Sequence, residues 1–300
     1  MIIALEIGLL YAVMALGVYL TYRVLDFPDL TVDGSFVTGA ATCVTLLVAG
    51  APIAVAMAAA TVAGALAGAI TGLLHVWGKI NPLLAGIITQ IALYSINLRI
   101  MGRANLPVPR DLENLFTPIR QAGLWGTWVS VGIYALVIAV IGALVYWFLG
   151  TQYGVALRAT GDNEMMARSQ GINTGVSKTV GLMISNALVA FCGAILAQYN
   201  GYADISMGIG LIVAGLASVI VGQAIFGMTA VWQAVLAAAL GSIVYRGVIQ
   251  LALNAGFNPN DMKLISAVLV VAALILPAWG PVKRLRAKRR RAAAVAEGAR

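Results

Sequence analysis

Nine stretches of this chain are apolar over 17 to 24 residues and nearly free of charge: roughly 2–22, 34–50, 52–75, 82–101, 127–149, 176–199, 208–228, 231–253 and 262–279. At a rise of about 1.5 Å per residue, a helix of that length matches the ~30 Å hydrocarbon core of a bilayer. Transmembrane barrel strands alternate apolar and polar residues, and these runs do not. A mean hydropathy of +0.94, with 61% apolar and 10% charged residues, leaves too little polar surface for a soluble globule. The expected fold class is an all-α polytopic membrane protein with about nine transmembrane helices, within a range of about 8–10.

The formal charge of +8 is concentrated at one end. Residues 281–300 hold eight basic side chains against Glu297, a net +7, which leaves +1 for the first 280 residues. A basic segment directly after a span reads as a cytoplasmic tail beside anionic lipid. Nucleic-acid binding is the alternative for KRLRAKRRR and is set aside. The Lys/Arg bias puts this tail inside, and an odd span count then puts the N-terminus outside. Counting back, Arg23, Lys79 and the loop at 151–178 fall inside. The loop from Gly102 to Gly126 falls outside, although it carries Arg103, Arg110 and Arg120. No basic residue precedes Arg23, so the first apolar run is expected to remain as a span. Cys43 and Cys192 lie in apolar runs and read as small buried hydrophobes.

An internal repeat is legible. PDLTVDGSFVTGAATCVTLLVAG (28–50) resembles ADISMGIGLIVAGLASVIVGQ (203–223), with Asp29 matching Asp204. Further on, Asn81-Pro82 matches Asn258-Pro259, so two units near 28–100 and 203–277 keep register within two residues. The expected topology inverts one unit relative to the other, an arrangement common in transporters. Residues 1–280 are then one transmembrane domain and 281–300 a cytoplasmic tail. Gly64, Gly68 and Gly72 recur on one helix face, where another backbone can approach closely.

Polar residues inside apolar helices are the candidates for lining a solute path, because unpaired polar groups are costly in hydrocarbon. Gln90, Tyr94 and Asn97 share one face at i, i+4, i+7; Asn186 and Gln223 are similar in kind. Interhelical glue is the competing role. Asp29, Asp33 and Asp204 precede or open apolar runs and read as helix-start caps. Arg246, deep in a segment, needs a partner, for which Asp204 or an anionic group of a solute are the candidates. His75, the sole histidine, sits near a boundary, and no metal-ligand cluster accompanies it.

One charged island interrupts the apolar chain: ALRATGDNEMMARSQGI (156–172). Gly161 is expected to end the helix leaving the membrane, Asp162 to cap a new one, and Gly171 to stop it. Glu164 and Arg168 are spaced i, i+4. The result is a short helix over Asn163–Gln170 that shows Met165 and Met166, which suits docking to another protein. An interfacial helix lying on lipid is the other reading.

The segment LRATGDNEMMARSQGI resembles the cytoplasmic coupling segment of permease subunits in ABC-type importers. The branch resembled is that of branched-chain amino acids and ribose-type sugars. FPDLTVDGSFVTGAA, ITGLLHVWGKINPLLAGIITQIAL and the run 151–223 follow in that family's order, and the resemblance covers roughly Leu16 to Pro277. FPDLTVDGS is closest to the amino-acid-like and uncharacterised-substrate branch, since sugar permeases of the family usually carry a Gly-rich lead-in there. The resemblance implies a type II importer-like fold in a bacterial inner membrane, multi-pass, with a cytoplasmic C-terminus. It implies a second permease copy, a homodimer or a heterodimer, a cytoplasmic ATPase and an extracytoplasmic binding protein. The ATPase would grip Arg158, Gly161, Asp162, Asn163, Glu164, Met165, Met166, Arg168 and Gly171. The binding protein would dock on Arg103, Arg110 and Arg120. The chain carries no G-x-x-x-x-G-K-[ST] phosphate cradle, so ATP and Mg²⁺ are expected on the ATPase and no cofactor or enzymatic activity on this chain. An ion-coupled secondary transporter is the alternative, but its coupling needs intramembrane carboxylates, whereas the clear ones sit at segment starts. A non-transporting scaffold would leave the polar stripe at 90–97 without a use.

Overall fold

The computed structural model of the chain describes residues 2–109, 112–227, 230–256 and 262–275. Arg110, the Asn258-Pro259 repeat mark and the basic tail lie outside the described residues. Each apolar segment contains a helix. These are α1 (Ile2–Tyr19, continuing into a π-helical turn, Leu20–Val24), α2 (Thr31–Val48), α3 (Ile53–Val76), α4 (Pro82–Met101), α6 (Trp128–Gly150), α9 (Thr174–Asn200), α10 (Leu211–Phe226), α11 (Val231–Asn254) and α12 (Met262–Ile275). Between them lie α5 (Thr117–Gln121), α7 (Gln152–Asp162) and α8 (Glu164–Ser169).

Seven described helices are long and apolar enough to cross a membrane: α1 with its π turn, α2, α3, α4, α6, α9 and α11. α10 spans only 16 residues. It starts late because Tyr202–Gly210 runs as a strand and turns over α2, where a Cβ on Gly208 would overlap the backbone carbonyl of Asp33. The chain also departs from an all-α fold by one small ribbon. Strands β1 (Asn105–Pro107) and β2 (Tyr202–Asp204) pair antiparallel, Leu106 opposite Ala203, and tie the 102–126 loop to the end of α9.

Helix ends follow local chemistry. Asp29 accepts a hydrogen bond from Thr31 N at 2.9 Å as α2 begins. Asn81 accepts from Leu83 N at 3.0 Å, with Pro82 in the first turn of α4. α9 is capped by Asn173 and ends on Gly201 at φ +81°, a left-handed position open to glycine.

The core is built on α2 and α9. α9 packs on α3, α2 and α1; α1 packs on α11, α9, α6 and α10; α2 also meets α3 and α4, and α10 also meets α11 and α12. The glycines expected to permit close approach do so. A Cβ on Gly64 would overlap the carbonyl of Asn186, and one on Gly68 that of Leu182. Gly39 of α2 faces the backbone of Ala190 in the same way, and Gly222 and Gly241 meet where α10 crosses α11.

Candidate functional site

Two places collect the chemically distinctive residues. The first is the charged island. It is two helices rather than one. α7 continues through Gly161 to Asp162, and the cap of α8 is Asn163, whose Oδ1 accepts from Met166 N at 2.9 Å. Gly161 does not break the helix; it lets α7 press on the π turn, since a Cβ there would overlap the carbonyl of Val24. Gly171 follows α8 at φ +82°, its N–H donating to Arg168 O at 3.0 Å.

α8 is tied to the helices behind it by its acidic residue. The Glu164 carboxylate accepts from Arg168 at 2.7 Å and from Lys178 of α9 at 2.7 Å. It also accepts from the Thr174 hydroxyl at 3.1 Å. Lys178 Nζ lies 3.3 Å from His75 Nε2, and His75 Nδ1 lies 2.9 Å from Ile80 O. Phe27 stacks edge-on against the same imidazole at 5.3 Å. A four-member chain therefore links α8 to α9, to the end of α3 and to the segment before α2. The hydrogen bond from Lys178, more than the other charges around it, holds the Glu164 carboxyl below its ordinary value. Met165 and Met166 are 83% and 61% exposed, so the apolar side of α8 is uncovered in the single chain. Lys178 and His75 were not foreseen as parts of this unit: they are 14 and 89 residues from Glu164 in sequence, and only folding brings them together.

The second place is a cavity of about 310 Å³ between α2, α4 and the lead-in to α10. Gln90, Tyr94, Asn97 and Asp33 all line it. Asn97 donates to Gly34 O at 3.3 Å, while its Oδ1 is buried with no partner among the described residues. Asp33 does not cap its own helix. Its carboxylate accepts from Gly210 N at 2.9 Å and Ile212 N at 2.7 Å, closing the start of α10 from 177 residues away. Asp204 accepts from Ser206 N and from Asn105 Nδ2, so it holds a turn and the β ribbon instead of capping α10.

The remaining polar residues fall elsewhere. Asn186 is buried against Asp29 (2.7 Å), Ser35 (2.6 Å) and Leu182 O (2.9 Å), away from the cavity. Gln223 has a buried Nε2 unpartnered among the described residues and does not line the cavity. Arg246 does not reach Asp204; its guanidinium sits 3.7 Å over the Tyr11 ring. Arg103 is exposed, whereas Arg120 packs over Trp125 at 4.3 Å and donates to Tyr199 O. Glu6, fully buried in α1, is held by the Ser130 hydroxyl and by Tyr199 OH at 2.9 Å, a contact unforeseen because its partners lie more than 120 residues on.

A multi-pass helical membrane protein with a capped, charged helix pair on one connection and a cavity that gathers several polar side chains among its spans is a transport permease in class. The chain belongs to the family described as "branched-chain amino acid transport system / permease component", which matches residues 1–274. It is thus the permease component of an ABC-type transport system, as the resemblance of the charged island implied. It is 39% identical over 267 residues to a tyrosine transport system permease protein of Clostridioides difficile, covering 89% of this chain and 88% of that one. An uncharacterised Rickettsia prowazekii protein is 33% identical, covering 91% and 96%. The galactofuranose transporter permease protein of Escherichia coli is 26% identical, covering 83% and 71%. No solved structure matches the chain.

Proposed function

We propose that the chain forms the translocation pathway of an ATP-driven importer for an amino acid or a related small polar solute. A second permease copy completes the pathway, a separate ATPase binding ATP and Mg²⁺ docks on α8, and an extracytoplasmic binding protein delivers the solute. The observation that carries this reading is the Glu164–Lys178–His75 chain, which joins an exposed two-methionine helix to the ends of α3 and α9. A nucleotide-driven push on α8 would reach the spans through these bonds as a rigid-body shift. The tyrosine permease relative supports the amino-acid class.

Nine crossings and an inverted repeat are part of the proposal. Its support is the exchanged packing: α9 lies on α2 and α3, as α1 lies on α10 and α11, and α2–α3 and α2–α4 are matched by α10–α11 and α10–α12. The contacts also divide the loops between two ends. Arg23, Lys79 and α7–α8 gather near one, and residues 102–126 near the other. With the basic tail inside, the first end is cytoplasmic and the second faces the binding protein.

Solute passes the α2–α4 cavity, where Asn97 offers an acceptor unpaired among the described residues and Gln90 and Tyr94 further polar contacts. Asn97→Leu is expected to lower uptake about tenfold, since a buried polar contact contributes on the order of 1–3 kcal/mol. ATPase activity without solute should fall less than uptake does, because the change removes a solute contact and leaves α8 untouched. Unchanged uptake, measured with radiolabelled solute in proteoliposomes, removes the cavity from the pathway. Asn186 and Gln223 act as interhelical ties in this reading.

Arg103 and Arg110 offer an acidic binding protein its docking charge, with Arg120 held in place by Trp125. Charge reversal of Arg103 and Arg110 to Glu is expected to weaken binding-protein stimulation of ATPase activity, and more so at low salt. Equal stimulation at low and high salt removes this role.

The functional reading as a whole is tested by copurification. The tagged chain should retain an ABC ATPase, and solute uptake should require ATP. Uptake driven by an ion gradient with no ATPase present would instead establish the secondary-transporter alternative.

A further inference from the structure

Two cavities adjoin at the end of the molecule that carries α7. One, of about 600 Å³, is lined by Tyr146 and Trp147 of α6, Trp232 of α11 and Arg158 of α7. The other, of about 700 Å³, is lined by Tyr19, Arg23, Asp26, Arg158 and Asp162. They share Arg158, Ala230 and Val231, so the Arg158 side chain stands at their junction. Its Nε is buried and has no partner among the described residues. The ion pairs of the described residues are Glu164–Arg168 and Glu164–Lys178, and neither Arg23 nor Arg158 takes part. Both guanidiniums lie within electrostatic range of the buried Tyr19 hydroxyl.

The two cavities differ in chemistry. The first is an aromatic mouth: Trp147 is 69% and Trp232 50% exposed, at the boundary level where indoles favour lipid headgroups. The second holds two arginines and two aspartates, a neutral balance. Asp26 sits at φ +53°, in the left-handed region that aspartate enters more readily than most non-glycine residues. A cavity that offers guanidinium donors at its junction and carboxylates beyond suits a ligand with a phosphate followed by a primary ammonium. A purely anionic headgroup would meet Asp26 and Asp162 unfavourably. A free phosphate compound would make no use of the aromatic mouth.

We propose that this double cavity is a binding site for a phosphoethanolamine-type phospholipid. The phosphodiester lies at Arg158 and Arg23, the ammonium group donates to Asp26 and Asp162, and the acyl chains leave between Trp147 and Trp232 along α6 and α11. Arg158 thus serves a lipid rather than a direct protein contact. A lipid seated there braces α7 against the π turn that Gly161 already touches.

The test uses the purified full-length chain after delipidation, with bound lipid read by native mass spectrometry and thermal midpoint read in detergent. Four probes are compared: phosphatidylethanolamine, phosphatidylcholine, phosphatidylglycerol and soluble O-phosphoethanolamine. Phosphatidylethanolamine is expected to bind about tenfold more tightly than phosphatidylcholine, whose methylated ammonium cannot donate, and to raise the midpoint most. Asp26→Asn with Asp162→Asn should erase that preference while phospholipid still binds. Arg158→Gln should weaken all three phospholipids about tenfold, and Arg103→Gln none. Equal binding of the three phospholipids, a preference for phosphatidylglycerol, or a preference untouched in the aspartate variant overturns the proposal. An equal midpoint rise with soluble O-phosphoethanolamine overturns the lipid assignment. Should Arg158→Gln fail to fold, the aspartate variant alone decides.

Discussion

Glu164→Ala is expected to cut ATP-driven uptake by tenfold or more while the chain still folds and inserts. The carboxylate ties α8 to α9 through Lys178 and Thr174 and holds Arg168 on its own helix. Removing it leaves α8 tied to α9 only by the Arg168 Nε bond to the Thr174 hydroxyl at 2.8 Å among the described side-chain bonds, and takes the carboxylate away from Lys178, which keeps His75. Coupling energies between distant sites are typically about 1–3 kcal/mol, or 5–150-fold. Folding should tolerate the change, because the Glu164 side chain is 37% exposed and partly solvated pairs contribute little to stability. The measurement is uptake and ATPase activity of the assembled transporter: ATPase activity should persist as uptake falls. Full uptake with normal assembly would show that the motor does not act through this helix. The pH dependence has a definite sign. The Glu164 carboxyl is held below its ordinary value of 4.5 in the folded protein. Its contribution is therefore fully present above about 4.5 and is lost as pH falls through the lowered value. Wild-type coupling should not change through this group between neutral pH and mild acid.

Gly39→Ala is expected to remove most of the folded protein. A methyl group at that position would overlap the carbonyl carbon and oxygen of Ala190, and α2 and α9 cannot separate without opening the core. Overpacking typically costs about 1–3 kcal/mol, and backbone yields less readily than a side-chain tip. The same change at Gly132 of α6, where nothing lies within 4 Å, should be silent. Detergent-extracted monodisperse yield and thermal midpoint compare the two; equal behaviour would mean the α2–α9 contact is looser than described.

The two substitutions mark how far the sequence reaches. Gly64 and Gly68 announce close packing by their spacing, but which backbone they meet, and that Gly39 meets one too, depends on α9 packing on α2 and α3, more than 100 residues on. The apolar runs determine helices and membrane residence, because twenty residues without charge have no other solvent. The caps at Asn81, Asn163 and Asn173, and the stop at Gly171, are local, since each satisfies backbone groups within a few residues, although α8 takes its cap from Asn163 and not from Asp162 as the sequence suggested. The spacing of Gln90, Tyr94 and Asn97 likewise determines that they share a face.

What that face meets was decided only by tertiary structure. Asp33 reads as a cap for its own helix, yet its carboxylate closes α10, and that crossing makes one wall of the cavity. Asp204 reads as one of two candidate partners for Arg246, beside an anionic group of a solute, but the β ribbon takes Asp204 and Arg246 sits over the Tyr11 ring. Glu164 displays its i, i+4 arginine in the sequence and conceals its lysine. Short-range hydrogen bonds and hydrophobicity act on neighbours along the chain, so residue order alone expresses them. A buried charge takes whatever partner the packing of distant helices leaves within about 3 Å, and that choice exists only once the helices have met.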